Sequence, residues 1–363
     1  MSWVIGIGNG LIWRRGGGAV TLAAPANVSV VVDSDTQITV SWDAVTGADS
    51  YKVYYGTDGV TFGSSVTSAT TSKAVTGLTA NTKYYFYVVA VKSSEGTVSS
   101  TINATTYHAE IGVYMTGLIT PLSSAQKTRL NIFVSSLKTG LIINNLSDAF
   151  DCIWLLSGET QESALRNIVK NAHHGTLAGT PNPAFTAFEG FANAALGTGY
   201  INTNYNPSTQ NVNFLKDSGT IGYCSRTAID QTAITVTIGG SQTAVGYTVI
   251  APINFGDIYY YLNNLTDSSL TYSNAQDGVF SVTRNNATQI TLYKNKIANV
   301  IASANSTNLP NANVFLMCEN LAGTGARRYW IGQMSFAYIG KGFSQTEINV
   351  IIDAIIAYGF FLI

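Results

Sequence analysis

Apolar residues at every second position constrain this chain more than any other feature. Ile38, Val40 and Trp42 keep that spacing, and so do Val28, Val30 and Val32. Tyr51, Val53 and Tyr55 repeat it, followed by Tyr84, Phe86, Val88 and Ala90. Successive side chains of a strand point to opposite faces, so a period of two gathers these residues on one side. A helix would scatter them around its axis. Turn formers such as Thr57-Asp58-Gly59 separate the runs. Residues 21–107 therefore read as an all-β module with one buried face per strand.

The same segment resembles the fibronectin type III domain. The run S-W-D-A-V-T-G-A-D-S-Y-K-V-Y-Y matches its second and third strands, with Trp42 as core tryptophan and Tyr51 opening the third. The run L-T-A-N-T-K-Y-Y-F-Y-V-V-A-V matches the later part. There Tyr84 takes the tyrosine-corner position after Leu78. Ala80 stands where the family usually has proline.

Residues 108–182 change character and read as a helical spacer. Leu122, Leu130, Phe133, Val134 and Leu137 mark one face of a helix starting near Ser123. Gly140 is its expected stop. A second helix is expected near 159–172, with Leu165, Ile168 and Val169 inward.

Short aromatic-rich runs return over 183–363, among them Ile221-Gly-Tyr223, Ile234-Thr-Val236-Thr-Ile238, Phe280-Ser-Val282 and Val314-Phe-Leu316. Many short strands between Asn/Gly turns predict a sandwich or jelly roll. The tail I-G-Q-M-S-F-A-Y-I-G-K-G-F-S-Q-T-E-I-N-V-I-I-D-A-I resembles the end of a laminin-G-like, concanavalin-type jelly roll. In such a domain a last strand precedes a short helix. Ser344 and Glu347 supply a capping box for that helix. L-Y-K-N-K-I-A resembles the family's mid-domain hairpin, with Lys296 where Gly is usual. The expected fold is mainly β: a fibronectin type III sandwich, then a concanavalin-like jelly roll, with a few packing helices.

Charge narrows the function. Only 11% of residues are charged, against about 25% in an ordinary domain, and the net charge is -1. A nucleic-acid ligand would need a basic patch, and no long basic run exists. Cys152, Cys224 and Cys318 are odd in number and show no zinc or redox spacing. They read as buried thiols, which suits folding in a reducing cytoplasm.

Residues 1–20 form an arm rich in apolar side chains: Trp3, Val4, Ile5, Ile7, Leu11, Ile12 and Trp13, before the Gly16–Gly18 joint. Arg14 and Arg15 follow the apolar stretch, the reverse of a secretory signal. The stretch is also short and glycine-rich, so membrane insertion is not expected. An apolar arm needs a cover, and docking on another chain is the expected one.

No G-x-S-x-G, H-E-x-x-H or phosphate-loop motif occurs. Glycan cleavage needs two converging carboxylates, whereas Glu189, Asp217, Asp230, Asp257, Asp267, Asp277 and Glu319 are scattered. His173 and His174 are adjacent and lack a third ligand nearby in sequence. Asp267 and Asp277 flank an oxygen-rich loop with too few acids for a calcium site. The reading is no enzyme, no metal and no cofactor. A sugar site is the better candidate, since aromatic platforms and fixed polar groups both occur. Its candidate residues are Tyr259, Tyr261, Tyr272, Arg327, Arg328, Tyr329 and Trp330.

The runs A-Q-K-T-R-L-N-I-F-V-S-S-L-K-T-G, F-E-G-F-A-N and T-G-Y-I-N-T-N-Y-N-P resemble fibre, decoration and tail-associated proteins of tailed phages, crAss-like phages included. The resemblance implies a structural virion component. Residues 1–15 would contact other virion proteins, copies of the chain would assemble as a homo-oligomer, and the jelly roll would face host-surface glycans. A bacterial glycan-binding adhesin and a glycan-cleaving enzyme are the alternatives.

Overall fold

The computed structural model describes residues 21–195, 197–227, 235–252, 257–265, 268–271, 277–302 and 304–359. The residues expected to anchor the chain, Trp3, Val4, Ile5, Ile7, Leu11, Ile12 and Trp13, lie outside these, as do Tyr272 and Asp267. The fold is mainly β, with a fibronectin-type sandwich, further sheets and a few helices. The chain divides into two compact units between Tyr107 and His108.

The first unit holds β1 (Ser29–Val32), β2 (Gln37–Ser41), β3 (Ser50–Gly56), β4 (Ser64–Ser68), β5 (Ser72–Thr76), β6 (Lys83–Val91), β7 (Glu95–Val98) and β8 (Ile102–Thr105). One sheet runs β1-β2-β5 and the other β4-β3-β6, with β7 and β8 both on β6. The alternating residues meet between them. Ile38, Val40 and Trp42 pack on Tyr51, Val53, Tyr84, Phe86 and Val88. The Trp42 and Tyr51 rings sit 5.3 Å apart. Two tyrosine hydroxyls then fasten loops to this core. Tyr84 accepts the Thr79 N–H at 2.9 Å, and Tyr51 accepts the Val45 N–H at 2.8 Å.

The second unit starts with helices α1 (Ala109–Met115) and α2 (Ser124–Leu141), then β9 (Phe150–Trp154) and the single turn α3 (Gln161–Ala164). Short strands follow: β10 (Thr176–Ala178), β11 (Ala184–Thr186), β12 (Gly190–Ala192) and β13 (Tyr200–Asn202), before the turn α4 (Pro207–Gln210). The longer strands are β14 (Gly219–Ser225), β15 (Ile238–Gln242), β16 (Gly246–Pro252), β17 (Asp257–Asn264), β18 (Ser268–Thr271), β19 (Gly278–Asn286), β20 (Gln289–Lys294) and β21 (Ile297–Ala302). The last elements are β22 (Phe315–Leu316), β23 (Glu319–Leu321), β24 (Gly325–Arg327), β25 (Gln333–Gly340) and helix α5 (Gln345–Tyr358).

Two sheets enclose one core. The first runs β10-β13-β22-β15-β16-β17-β18, with β23 beside β15 and β24 beside β23. The second runs β11-β12-β25-β14-β19-β20-β21, with β9 beside β25. Ile238, Ile250, Tyr260 and Leu262 of the first sheet pack against Ile221, Tyr223, Phe280, Val282 and Ile339 of the second. Helices α2 and α5 cover the outer face of the second sheet. Phe133 of α2 lies 5.9 Å from Phe336 of β25 and 5.6 Å from Tyr358 of α5, edge to face in both cases. The α5 capping box forms as the sequence indicates, with Ser344 Oγ accepting from the Glu347 N–H and the Glu347 carboxylate accepting in return. The β20–β21 hairpin closes through Asn295, whose φ of 53° takes the left-handed turn that leaves Lys296 free of it.

Three expectations change. Residues 108–182 are part of the second unit and not a separate spacer, because β9 extends the second sheet by pairing with β25. The buried Asp151 carboxylate fastens β9 to the chain beyond it, accepting from the Tyr205 hydroxyl at 2.7 Å and the Asn213 N–H at 2.9 Å. The helix expected over 159–172 is only the turn α3. Asn167 replaces it with side-chain bonds, accepting from the Ile153 and Val169 N–H groups and donating to the Ala172 carbonyl. Gly140 does not stop α2, which continues to Leu141 and ends with Ile142 left-handed. It is small because α5 crosses there: a Cβ would sit 2.4 Å from Cγ1 of Val350.

Candidate functional site

With α2 and α5 on the second sheet, the outer face of the first sheet is where candidate residues gather. Strand parity decides which of them reach it. On β17, Tyr260 and Leu262 point into the core, so Tyr259 and Tyr261 point out. On β16 Ile250 is inward, leaving Tyr247, Val249 and Ala251 outward. Tyr259, Tyr261 and Tyr247 remain half-buried over Val249, Ala251 and Val236. The Tyr247 and Tyr261 rings are 5.4 Å apart.

Register places Phe315, Gly239, Val249 and Tyr261 in one cross-strand row. A Cβ on Gly239 would approach Val236 Cγ1 to 2.9 Å, so the glycine makes room for that valine. Val236 in turn links the tyrosine patch to the next cluster. Its N–H donates to the Arg328 carbonyl at 2.8 Å, and it bridges to Tyr329.

That cluster centres on Glu319, which is directly opposite Arg327 across the β23–β24 pair. The Glu319 side chain has no solvent exposure. Arg327 clamps it in two-point fashion, Nε to Oε2 at 2.9 Å and Nη2 to Oε1 at 3.0 Å. Arg328 Nη1 adds a third bond at 3.0 Å, and Ser241 Oγ a fourth at 2.5 Å. A buried carboxylate is tolerated only when its lone pairs are filled in this way. Aromatic rings border the cluster. Tyr200 stacks on Phe315 at 4.6 Å, and Tyr329 lies 6.4 Å from Tyr200 with its hydroxyl tied to the Ala326 carbonyl.

Trp330 does not belong to this surface. Arg328 has a φ of 58°, which turns the chain inward. Trp330 is then buried in the core against Tyr223, at 6.3 Å. The structure thus gathers Tyr259, Tyr261, Arg327, Arg328 and Tyr329 on one face and withdraws Trp330. Tyr200, Tyr247 and Phe315 join them. The signal for these three was parity: Tyr200 precedes core Ile201, Phe315 precedes core Leu316, and Tyr247 stands three positions before core Ile250.

The paired histidines and the three cysteines have structural surroundings. His173 Nδ1 lies 2.8 Å from the Asn204 carbonyl, and His174 Nδ1 accepts the Asn167 N–H at 3.2 Å. Burial lowers both imidazole pKa values. All three cysteines are buried free thiols, and burial pushes the Cys224 thiol up to about 12. Among the described residues no group of three His, Cys, Asp or Glu side chains gathers to hold a metal ion. Among them, too, no helix is long and apolar enough to cross a membrane.

Comparison with known proteins starts from the first unit. Residues 23–105 match the fibronectin type III domain model. The first unit carries a fibronectin type III domain. A fibronectin-like protein from Clostridium thermocellum is 31% identical, with 23% of this chain and 91% of that one covered and a TM-score of 0.22. The fibronectin domain of human contactin 1 is 24% identical, covering 26% and 92%, also with a TM-score of 0.22. Two curated relatives are similar over a quarter of this chain. A tail tube protein of Bacillus phage SPP1 is 39% identical over 87 residues, and a poly(3-hydroxybutyrate) depolymerase of Ralstonia pickettii is 38% identical over 90. The chain spans 31% and 17% of their respective lengths.

Proposed function

We propose that this chain is a non-enzymatic structural component of a phage virion, a fibre or decoration protein. Residues 1–15 anchor it to other virion proteins, and the second unit, a concanavalin-like jelly roll, is displayed outward to hold host-surface glycans. The 39% identity to a phage tail tube protein carries the virion reading. The low charge supports it, since a neutral hydrogen-bonding surface suits repeated assembly. The outer face of the first sheet supports the glycan reading, because it combines aromatic rings with polar groups already fixed in place.

Glu319, the buried acid of this cluster, is fully engaged by two arginines and a serine. It is therefore an ion-pair partner and not a general acid. The likeness to a depolymerase favours a second reading, in which the fibronectin domain serves a polymer-degrading enzyme. Two measurements separate the readings: mass spectrometry of purified phage particles, and product release from polysaccharide and polyester. The virion reading expects the chain in particles and no turnover. Turnover without particle association overturns it.

A further inference from the structure

The arginine cluster on the outer face carries more charge than its own partner neutralises. Two guanidinium groups share the single Glu319 carboxylate, leaving one positive charge in excess. The donors are not exhausted either. Arg327 spends Nε and Nη2 on Glu319, and Arg328 spends Nη1. Nη1 of Arg327, with Nε and Nη2 of Arg328, has no acceptor among the described residues. The side chains are 34% and 40% exposed, so these edges reach solvent. Arg328 holds a left-handed backbone, which a β-carbon disfavours, and Val236 and Glu319 keep it there. Tolerated strain of this kind gathers at sites that bind. Tyr329 follows Arg328 in the chain and lies 6.4 Å from Tyr200, and both rings are half-buried and held by other contacts.

Resting on the glycan-adhesion reading above, we infer that the saccharide this face takes is acidic. Its carboxylate or sulfate lies on the free edges of Arg328 and Arg327, and its ring lies over Tyr329 and Tyr200. The planar fork of a guanidinium matches two oxygens of such a group, which a neutral sugar lacks. Glu319 is a positioning residue here: it orients both forks and touches no ligand.

The test is calorimetric titration of the full chain with three oligosaccharides of equal length: a uronic-acid oligomer, a sulfated oligomer and a neutral glucan. Single-stranded DNA serves as an acidic polymer of another class, whose stacking faces are bases and not pyranose rings. The expected result is binding of one or both acidic saccharides, weakened by salt, with the glucan and the DNA at least about tenfold weaker. Arg328→Gln should stay folded, with at most a small drop in melting temperature from the lost Glu319 bond, and lose roughly tenfold in affinity for the acidic saccharide. Arg328→Lys, which keeps charge but not the fork, should fall between. Should Arg328→Gln fail to fold, salt dependence in the unaltered chain decides, and its absence overturns the inference. Equal glucan binding, insensitive to Arg328→Gln, overturns acidic recognition and leaves glycan adhesion standing. No binding to any saccharide overturns both. DNA binding as tight as saccharide binding overturns the saccharide assignment.

Discussion

Nη1 of Arg328 lies 3.0 Å from Oε2 of Glu319, a carboxylate wholly withdrawn from water. The bond is one of four around that carboxylate, and Arg327 provides two of the others. Arg327→Ala would strip both and leave a buried charge half-served. The expected cost is about 3 kcal/mol, the lower end for breaking a buried pair, because Arg327 is partly solvated. Arg328→Ala removes a single bond, costing at most about 1.5 kcal/mol. Urea titration of the two variants checks the order, and an equal cost would show that the fork geometry carries no weight.

Trp42 fills the centre of the fibronectin domain beside Tyr51. Trp42→Ala should destabilise that unit by about 3–5 kcal/mol through the cavity it leaves. Calorimetry should show one transition lowered and the other in place. Joint movement of both transitions would contradict two separate cores.

Gly140 tests close approach against helix propensity. Alanine is intrinsically the better helix former by about 1 kcal/mol. Its Cβ would nevertheless collide with Val350 of α5. Gly140→Ala should therefore destabilise by about 1–3 kcal/mol as overpacking. A rise in melting temperature would show that α5 yields easily.

His174 gives a pH dependence. Its Nδ1 must be unprotonated to accept the Asn167 N–H. Burial, with the nearby Arg166 charge, lowers its pKa below the ordinary 6.5. The folded state resists protonation, so stability is full above the unfolded pKa and is lost as pH falls through the folded one. His173 is lowered in the same direction, also by burial first. Melting temperature should drop as pH falls below about 6.5, and His174→Gln should flatten the drop. An unchanged slope in the variant would exclude His174 as its source.

Much of this was legible because parity survives folding. The alternation around Trp42 and Tyr84 gave the fibronectin sandwich, and Tyr260 facing inward leaves Tyr259 and Tyr261 outside. Ser344 and Glu347 announced α5 three residues apart. The failures are places where a side chain overrides the local pattern. Asn167 substitutes its amide for helical bonds, and nothing in 159–172 betrays this. β9 is buried along its whole length with an aspartate inside it, so it shows no alternation at all. Trp330 follows Arg327, Arg328 and Tyr329 in sequence, and the left-handed Arg328 sends it inward. Gly140 reads as a stop, although its smallness serves a neighbouring helix 210 positions away.

Particle incorporation tests the central claim most directly. The measurement is the amount of chain recovered with purified virions, for the full sequence and for a chain lacking residues 1–15. The structural-component reading predicts that the full chain co-sediments with particles. It also predicts that the shortened chain folds with the same melting profile and stays in the supernatant. Equal incorporation of both chains would contradict the anchoring role, and absence of the full chain from particles would contradict the virion assignment itself.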